Sequence, residues 1–203
     1  MLKVISPFGP KIAKLKFPEK LIEKINIEVD KIISNKLLAD KFDYSKKLVG
    51  QVRQEISLPK LFIKKNLEKI ISKSIKEFIN KSLGKKPKIV KIKNFWVVRQ
   101  FSHEYNPIHF HDGHISGVGY LKVPKFGDSK KISLKTNGTI DFINGSKIFL
   151  SESIYNHSPK EGDVLLFPNY LMHTAYPFST KGERRSFSFN VEIDKKIANI
   201  FSK

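Results

Sequence analysis

The sequence predicts an α+β fold, with a helical N-terminal half packed on a C-terminal half built from many short strands. Three observations carry this. Up to about residue 84, apolar residues recur at three- and four-residue steps. From Lys88 the period drops to two. The period-two runs are short and separated by Gly, Asn, Asp, Pro and Ser, the spacing of a sandwich, barrel or jelly roll. The expected organisation is a helical region over residues 1–87 packing on a β core over 88–203, one compact unit overall. βαβ alternation, GxGxxG and the P-loop are all missing, which disfavours Rossmann and P-loop enzymes.

The first helix follows Pro18, with Leu21, Ile22, Ile25, Val29, Ile32 and Ile33 on one face. A second carries Leu67, Ile70, Ile71, Ile75, Phe78 and Ile79 and stops at Gly84, a residue suited to the left-handed end of a helix. Residues 39–58 are mixed and give no assignment. Strands are expected at 88–92, 95–98, 115–123, 132–134, 139–143, 148–150, 164–167, 173–176 and 184–193.

Composition bounds the function. At 203 residues, 40% hydrophobic and 28% charged, the chain is a folding domain rather than a disordered one. No apolar run approaches the roughly 18 residues of a membrane span, and the N-terminus lacks a signal-peptide core, so a cytoplasmic protein without a membrane partner is expected. Cysteine is absent, so any metal must be held by His, Asp or Glu. The net charge of +19 invites a nucleic-acid reading, but only four of the 38 basic residues are arginine, the residue of bidentate phosphate and guanine contacts. Residues 1–93 carry +15 of that charge and 94–203 only +4, so the second half has an ordinary surface and is the expected seat of a site.

Three of the six histidines fall in NPIHFHDGH at 106–114. On a strand, residues two apart share a face, so His109 and His111 present two imidazoles to one point with Phe110 opposite. Neutral imidazole suits Fe, Zn, Cu or Ni. His173 follows a turn, a buried strand and a second turn. Eleven residues later, alternation puts Arg184, Ser186, Ser188 and Asn190 on a polar face, and Arg185, Phe187, Phe189 and Val191 on the other. A polar strand face within a β domain lines a cavity, and an arginine there calls for a carboxylate or phosphate, with a serine two residues on adding a hydrogen bond.

The order HxH, then the strand at 116–124, then PxxGD-strand-FP-xxxxH at 159–173, then ERxSxSxN at 183–190, resembles the 2-oxoglutarate/Fe(II)-dependent oxygenases, in particular a small branch with an NPxHxHxG start and an FPxxLxH-to-ERxSxSxN end. The resemblance spans roughly residues 94–192. It implies a double-stranded β-helix, a jelly-roll or cupin-like core, with the helical region attached. It implies Fe(II), 2-oxoglutarate and O₂ as cofactors, and a facial ligand triad. By that resemblance His109 matches the first ligand and His173 the distal one. Arg184 and Ser186 match the pair that binds the far carboxylate of 2-oxoglutarate, and Tyr120 lies where a cosubstrate hydroxyl contact is common. The branch departs at the carboxylate ligand, because the position two after His109 is His111. Two ligand sets follow: His109, His111 and His173, which the HxHxG pattern favours, or His109, Asp112 and His173, reached through a bulge at Asp112-Gly113.

The implied activity is hydroxylation of an unidentified primary substrate, whether a protein side chain, a nucleobase or a metabolite. His114 is assigned to a loop or to the mouth of the site, His103 and His157 to structural or exposed roles, and Arg185 to surface pairing. The rival readings are a cupin-like three-histidine metalloenzyme without 2-oxoglutarate, a basic nucleic-acid-binding module, and a metal-free structural β protein.

Overall fold

A computed structural model describes residues 2–5, 9–126 and 136–199. The helices form where the periodicity places them. α1 (Glu19–Ile33) starts at Pro18, whose φ of −59° suits a helix entry, and buries Ile22, Ile25, Val29 and Ile32. α4 (Glu68–Leu83) buries Ile71, Ile75, Phe78 and Ile79 and ends at Gly84, whose φ of +64° is left-handed. Between them lie α2 (Lys36–Phe42) and α3 (Lys60–Asn66). Residues 1–87 also hold three strands that periodicity did not reveal: β1 (Lys3–Ile5), β2 (Ile12–Lys16) and β3 (Gln54–Ser57).

The later strands are β4 (Val90–Gln100), β5 (Asn106–His109), β6 (Ile115–Lys122), β7 (Ile140–Ile143), β8 (Ile154–His157), β9 (Asp163–Pro168), β10 (Met172–Ala175) and β11 (Arg184–Ile193). They form two antiparallel sheets. The larger runs β1-β2-β9-β6-β11-β4-β3, the smaller β5-β10-β7-β8. The fold is a double-stranded β-helix with helices attached, as expected. β1, β2 and β3 extend the larger sheet at its two edges, so the N-terminal region is woven into the core as well as laid on it.

Three layers result, with two apolar cores. One lies between the helices and the larger sheet, where Ile25, Val29, Ile71 and Ile75 meet Phe95, Val97, Phe187, Phe189 and Val191. The other lies between the sheets, with Val118, Ile140, Phe142, Leu165 and Phe167. Gly117 and Gly119 make the first core flat. A Cβ at either would sit 2.2 Å from the ring of Phe189 or Phe187, so only glycine lets those rings lie across β6.

The parity expected for β11 holds, but not its consequence for Arg185. Its side chain is only 1% exposed, because α1 covers that face; it pairs with Asp30 Oδ1 at 2.7 Å and Glu183 Oε1 at 2.8 Å. The pairing is therefore buried rather than superficial. The two runs expected at 88–92 and 95–98 are one strand. Asn190 and Val191 of β11 oppose Asn94 and Ile92, skipping Lys93. This extra residue resets the alternation, so Val90 and Ile92 join the helix-side core along with Phe95 and Val97.

The run at 148–150 is not a strand. Only an isolated bridge joins Ile148 to Ser151, and Phe149 and Leu150 stand in solvent with no sheet facing them. β8 begins four residues later instead. The strand expected at 132–134 lies outside the described residues. No described helix is long and apolar enough to cross a membrane.

Candidate metal and cosubstrate site

His109 ends β5 and stands directly opposite His173 on β10. His111 lies two residues past β5. Its backbone is pinned to the turn after β9, its N–H donating to Asn169 O at 2.9 Å while Asn169 Nδ2 donates to its carbonyl at 3.3 Å. Candidate ligand atoms of the three imidazoles all lie within 4.8 Å of one another, the one such group among the described residues. Two of the rings are oriented from behind: His109 Nδ1 donates to Pro107 O at 2.7 Å and His173 Nδ1 to Leu171 O at 3.0 Å. That fixes the tautomer and turns each Nε2 inward, the arrangement of a metal-bound histidine.

His109 Nε2 and His111 Nε2 face each other at 3.3 Å. The contact is met either by a neutral His111 carrying its proton on Nε2 or by a cation that takes both lone pairs. The charged imidazolium is disfavoured here. Burial, then the neighbouring His109, pushes His111 down to about 3. Burial likewise lowers His109, and burial with both neighbours holds His173 well below the ordinary value. The donor set therefore fits a divalent cation. Phe167, Phe142 and Trp96 pack the rings, with centroids 4.9 Å and 5.6 Å from His173 and 5.4 Å from His111 respectively.

Asp112 is not part of this group. Its side chain is 67% exposed and its carboxylate is taken by Lys93 Nζ at 2.6 Å, with Gly113 N donating to Oδ1 at 2.6 Å. The bulge that would turn it inward is absent; the chain turns at Gly113, φ +85°, and sends the carboxylate outward.

Arg184, Ser186, Ser188 and Asn190 line the same cavity, of about 750 Å³. Tyr120 stands opposite Ser186 in the β6–β11 register and shares that wall. Arg184 is buried and makes no ion pair with any described carboxylate. Its Nη1 donates to Gly138 O at 2.7 Å and its Nη2 to Gln100 Oε1, while its Nε has no partner. A buried guanidinium held by neutral groups, with a donor to spare, fits an anionic ligand. Burial lowers its pKa, against the opposing pull of Tyr120.

Gln100 was not singled out from the sequence. Its Nε2 donates to Glu104 O at 2.5 Å and Tyr176 O at 3.1 Å, which fixes the oxygen that holds Arg184. Alternation after the bulge could have found it, since Asn94, Trp96, Val98 and Gln100 share the cavity-side parity of β4. Asn190 faces His111, with Ser116 Oγ donating to its Oδ1 at 3.0 Å.

The other histidines are structural. His114 Nδ1 accepts from Ile193 N at 3.0 Å, and His103 sits in a left-handed turn with its N–H on Phe178 O at 2.8 Å. His157 is buried on β8, its Nε2 3.3 Å from Asp163 Oδ2. Burial and then Lys14 lower its pKa, and Asp163 opposes them. An unfolded chain near the ordinary histidine value of about 6.5 takes up a proton that the fold resists. Stability from this group is complete above that pH and declines below it. Urea midpoints at pH 7.5 and pH 5 are expected to differ more for the native protein than for His157→Gln.

Residues 94–190 match a family described as "Putative 2OG-Fe(II) oxygenase". None of the curated proteins matches the sequence. Among solved structures, the chain is similar to a Pseudomonas putida prolyl-4-hydroxylase (12% identity, TM-score 0.59, 88% of this chain and 91% of that one). It is similar to a viral collagen prolyl hydroxylase from Paramecium bursaria Chlorella virus-1 in complex with 2-oxoglutarate (17%, 0.54, 89% and 94%). A third is HygX from Streptomyces hygroscopicus with nickel, 2-oxoglutarate and hygromycin B bound (12%, 0.61, 89% and 82%). At these identities the structural likeness speaks to the fold.

Proposed function

We propose that this chain, whose residues 94–190 match the 2-oxoglutarate/Fe(II) oxygenase family, is a hydroxylase whose His109, His111 and His173 hold Fe(II) and whose Arg184, Ser186 and Tyr120 seat 2-oxoglutarate. The observation that carries the reading is the meeting of three imidazoles, two of them turned inward by backbone carbonyls, on the wall of the cavity that Arg184 enters. When bound, Fe(II) with O₂ supplies oxidative decarboxylation of 2-oxoglutarate to succinate and CO₂, coupled to oxidation of a substrate C–H bond.

The chain supplies position and surroundings. Arg184, held by Gln100 and Gly138, offers its guanidinium to the far carboxylate, and Ser186 adds a hydroxyl on the same face. Three neutral ligands leave more net positive charge at the metal than two histidines and a carboxylate, which favours binding of the keto-acid end. Phe142, Phe167 and Trp96 pack against the ligand rings and hold their orientation. The primary substrate is a protein side chain, a nucleobase or a metabolite. The structural relatives named above are two prolyl hydroxylases, one of them a collagen prolyl hydroxylase, and HygX holding hygromycin B, so both a protein side chain and a small molecule stay open as substrates.

The test is anaerobic. Fe(II) and 2-oxoglutarate added together are expected to give the weak visible charge-transfer band of their chelate, and neither alone gives it. Folded protein showing no band with both present overturns the reading.

A further inference from the structure

Away from Arg184, the cavity is closed by residues of the N-terminal half, from Tyr44 to Gly50 and by Glu55 on β3. Glu55 is only 3% exposed, yet its carboxylate has no hydrogen bond or ion pair with any described residue. Across from it, Asn106 on β5 points an Oδ1 that is also buried and without a partner. Both oxygens aim at one place: a Cβ on Gly50 would lie 2.5 Å from Asn106 Oδ1 and 2.6 Å from Glu55 Oε1. On the same cavity wall Lys47 Nζ lies over the Tyr44 ring, 5.0 Å from its centroid. Tyr44 in turn stacks on Trp96 at 6.1 Å, and Trp96 meets His111 edge-on.

A buried carboxylate with no cation paired to it is costly inside a protein. Glu55 and Asn106 both line the open cavity, where a ligand can bring the missing charge. Aromatic faces next to acceptors favour a positively charged donor. We propose that Glu55 and Asn106 form the substrate-recognition end of the cavity, and that the primary substrate carries a cationic hydrogen-bond donor, an alkylammonium or guanidinium, which docks between them while Trp96 leads the rest of the molecule to the histidines. Glu55 and Asn106 are specificity residues in this arrangement. Burial and then Asp43 raise the pKa of Glu55 to about 7, and a cation docked beside it is expected to draw that value back down. The proposal rests on the oxygenase reading for its link to a reaction, but the subsite itself is tested without turnover.

Trp96 is the protein's single tryptophan and walls the subsite, so its fluorescence reports occupancy. The Fe(II)- and 2-oxoglutarate-loaded protein, held anaerobic, is titrated with n-butylammonium and n-butylguanidinium and with the neutral n-butanol and n-butylurea. The cations are expected to give a saturable change and the neutral probes none. Glu55→Gln weakens cation binding by roughly tenfold or more, the loss of a charge-assisted hydrogen bond. Gly50→Ala, which fills the space between the two oxygens, weakens it independently, and thermal melts confirm that both variants fold. Equal responses to cationic and neutral probes, or unchanged affinity in folded Glu55→Gln, overturn the proposal.

Two further arms, blocked lysine or arginine tripeptides and 1,4-diaminobutane, assign the cation to a protein side chain or to a small amine according to which binds tighter. The charge-transfer band separates the two readings. A band without cation binding sinks the subsite alone. Cation binding to protein that forms no band sinks the oxygenase reading and leaves the subsite standing.

Discussion

His111→Ala is expected to strip the protein of its metal, whereas Asp112→Ala keeps it. His111 offers an imidazole nitrogen 3.3 Å from that of His109, and burial with its neighbour keeps it unprotonated and ready to coordinate. The Asp112 carboxylate is exposed and already neutralised by Lys93 at 2.6 Å, so removing it costs a surface pair and leaves the three rings in place. The loss in His111→Ala should exceed the roughly 10–100-fold in metal affinity that follows from disturbing a group behind a ligand. Metal content after dialysis and titration with Fe(II) under argon measure both variants. Metal loss in Asp112→Ala with retention in His111→Ala would reverse the assignment of ligands.

Arg184→Ala should leave the metal in place and raise the 2-oxoglutarate concentration needed for half-saturation by roughly 30-fold or more. Truncating one partner of a buried charged pair costs about 2–5 kcal/mol, and each 1.4 kcal/mol is about tenfold. The guanidinium touches Gly138 and Gln100, not the imidazoles, which is why metal binding and cosubstrate binding come apart. Arg184→Lys retains the charge but loses the planar fork, so it should fall between the native protein and the alanine variant. Iron loss in Arg184→Ala with an unchanged 2-oxoglutarate requirement would mean that the arginine serves the metal instead.

What could be read beforehand follows physical lines. The helices α1 and α4 were legible because a period of 3.6 over fifteen or sixteen residues repeats the same apolar face several times. The polar parity of β11 was legible because ten alternating residues leave little ambiguity. Strands β1 to β3 were not, being three to five residues long, too short to show a period. Arg185 was placed on the surface because alternation says which face a residue takes, and only the tertiary fold says that α1 covers that face. The run 148–150 shows the converse, apolar residues with no partner layer. The histidines were visible through their spacing. Gln100, Glu55 and Asn106 were not, because their importance lies in what they meet, or fail to meet, across 4 to 84 positions of chain.

The entry of the 44–55 stretch into the cavity wall divides labour along the chain. Imidazoles, guanidinium and the strands that hold them all come after residue 94, while the far wall is built by a stretch that touches neither. On the proposed reading, changes confined to the cavity-facing side chains of 44–55 can retune which molecules are admitted while leaving the three imidazoles in place.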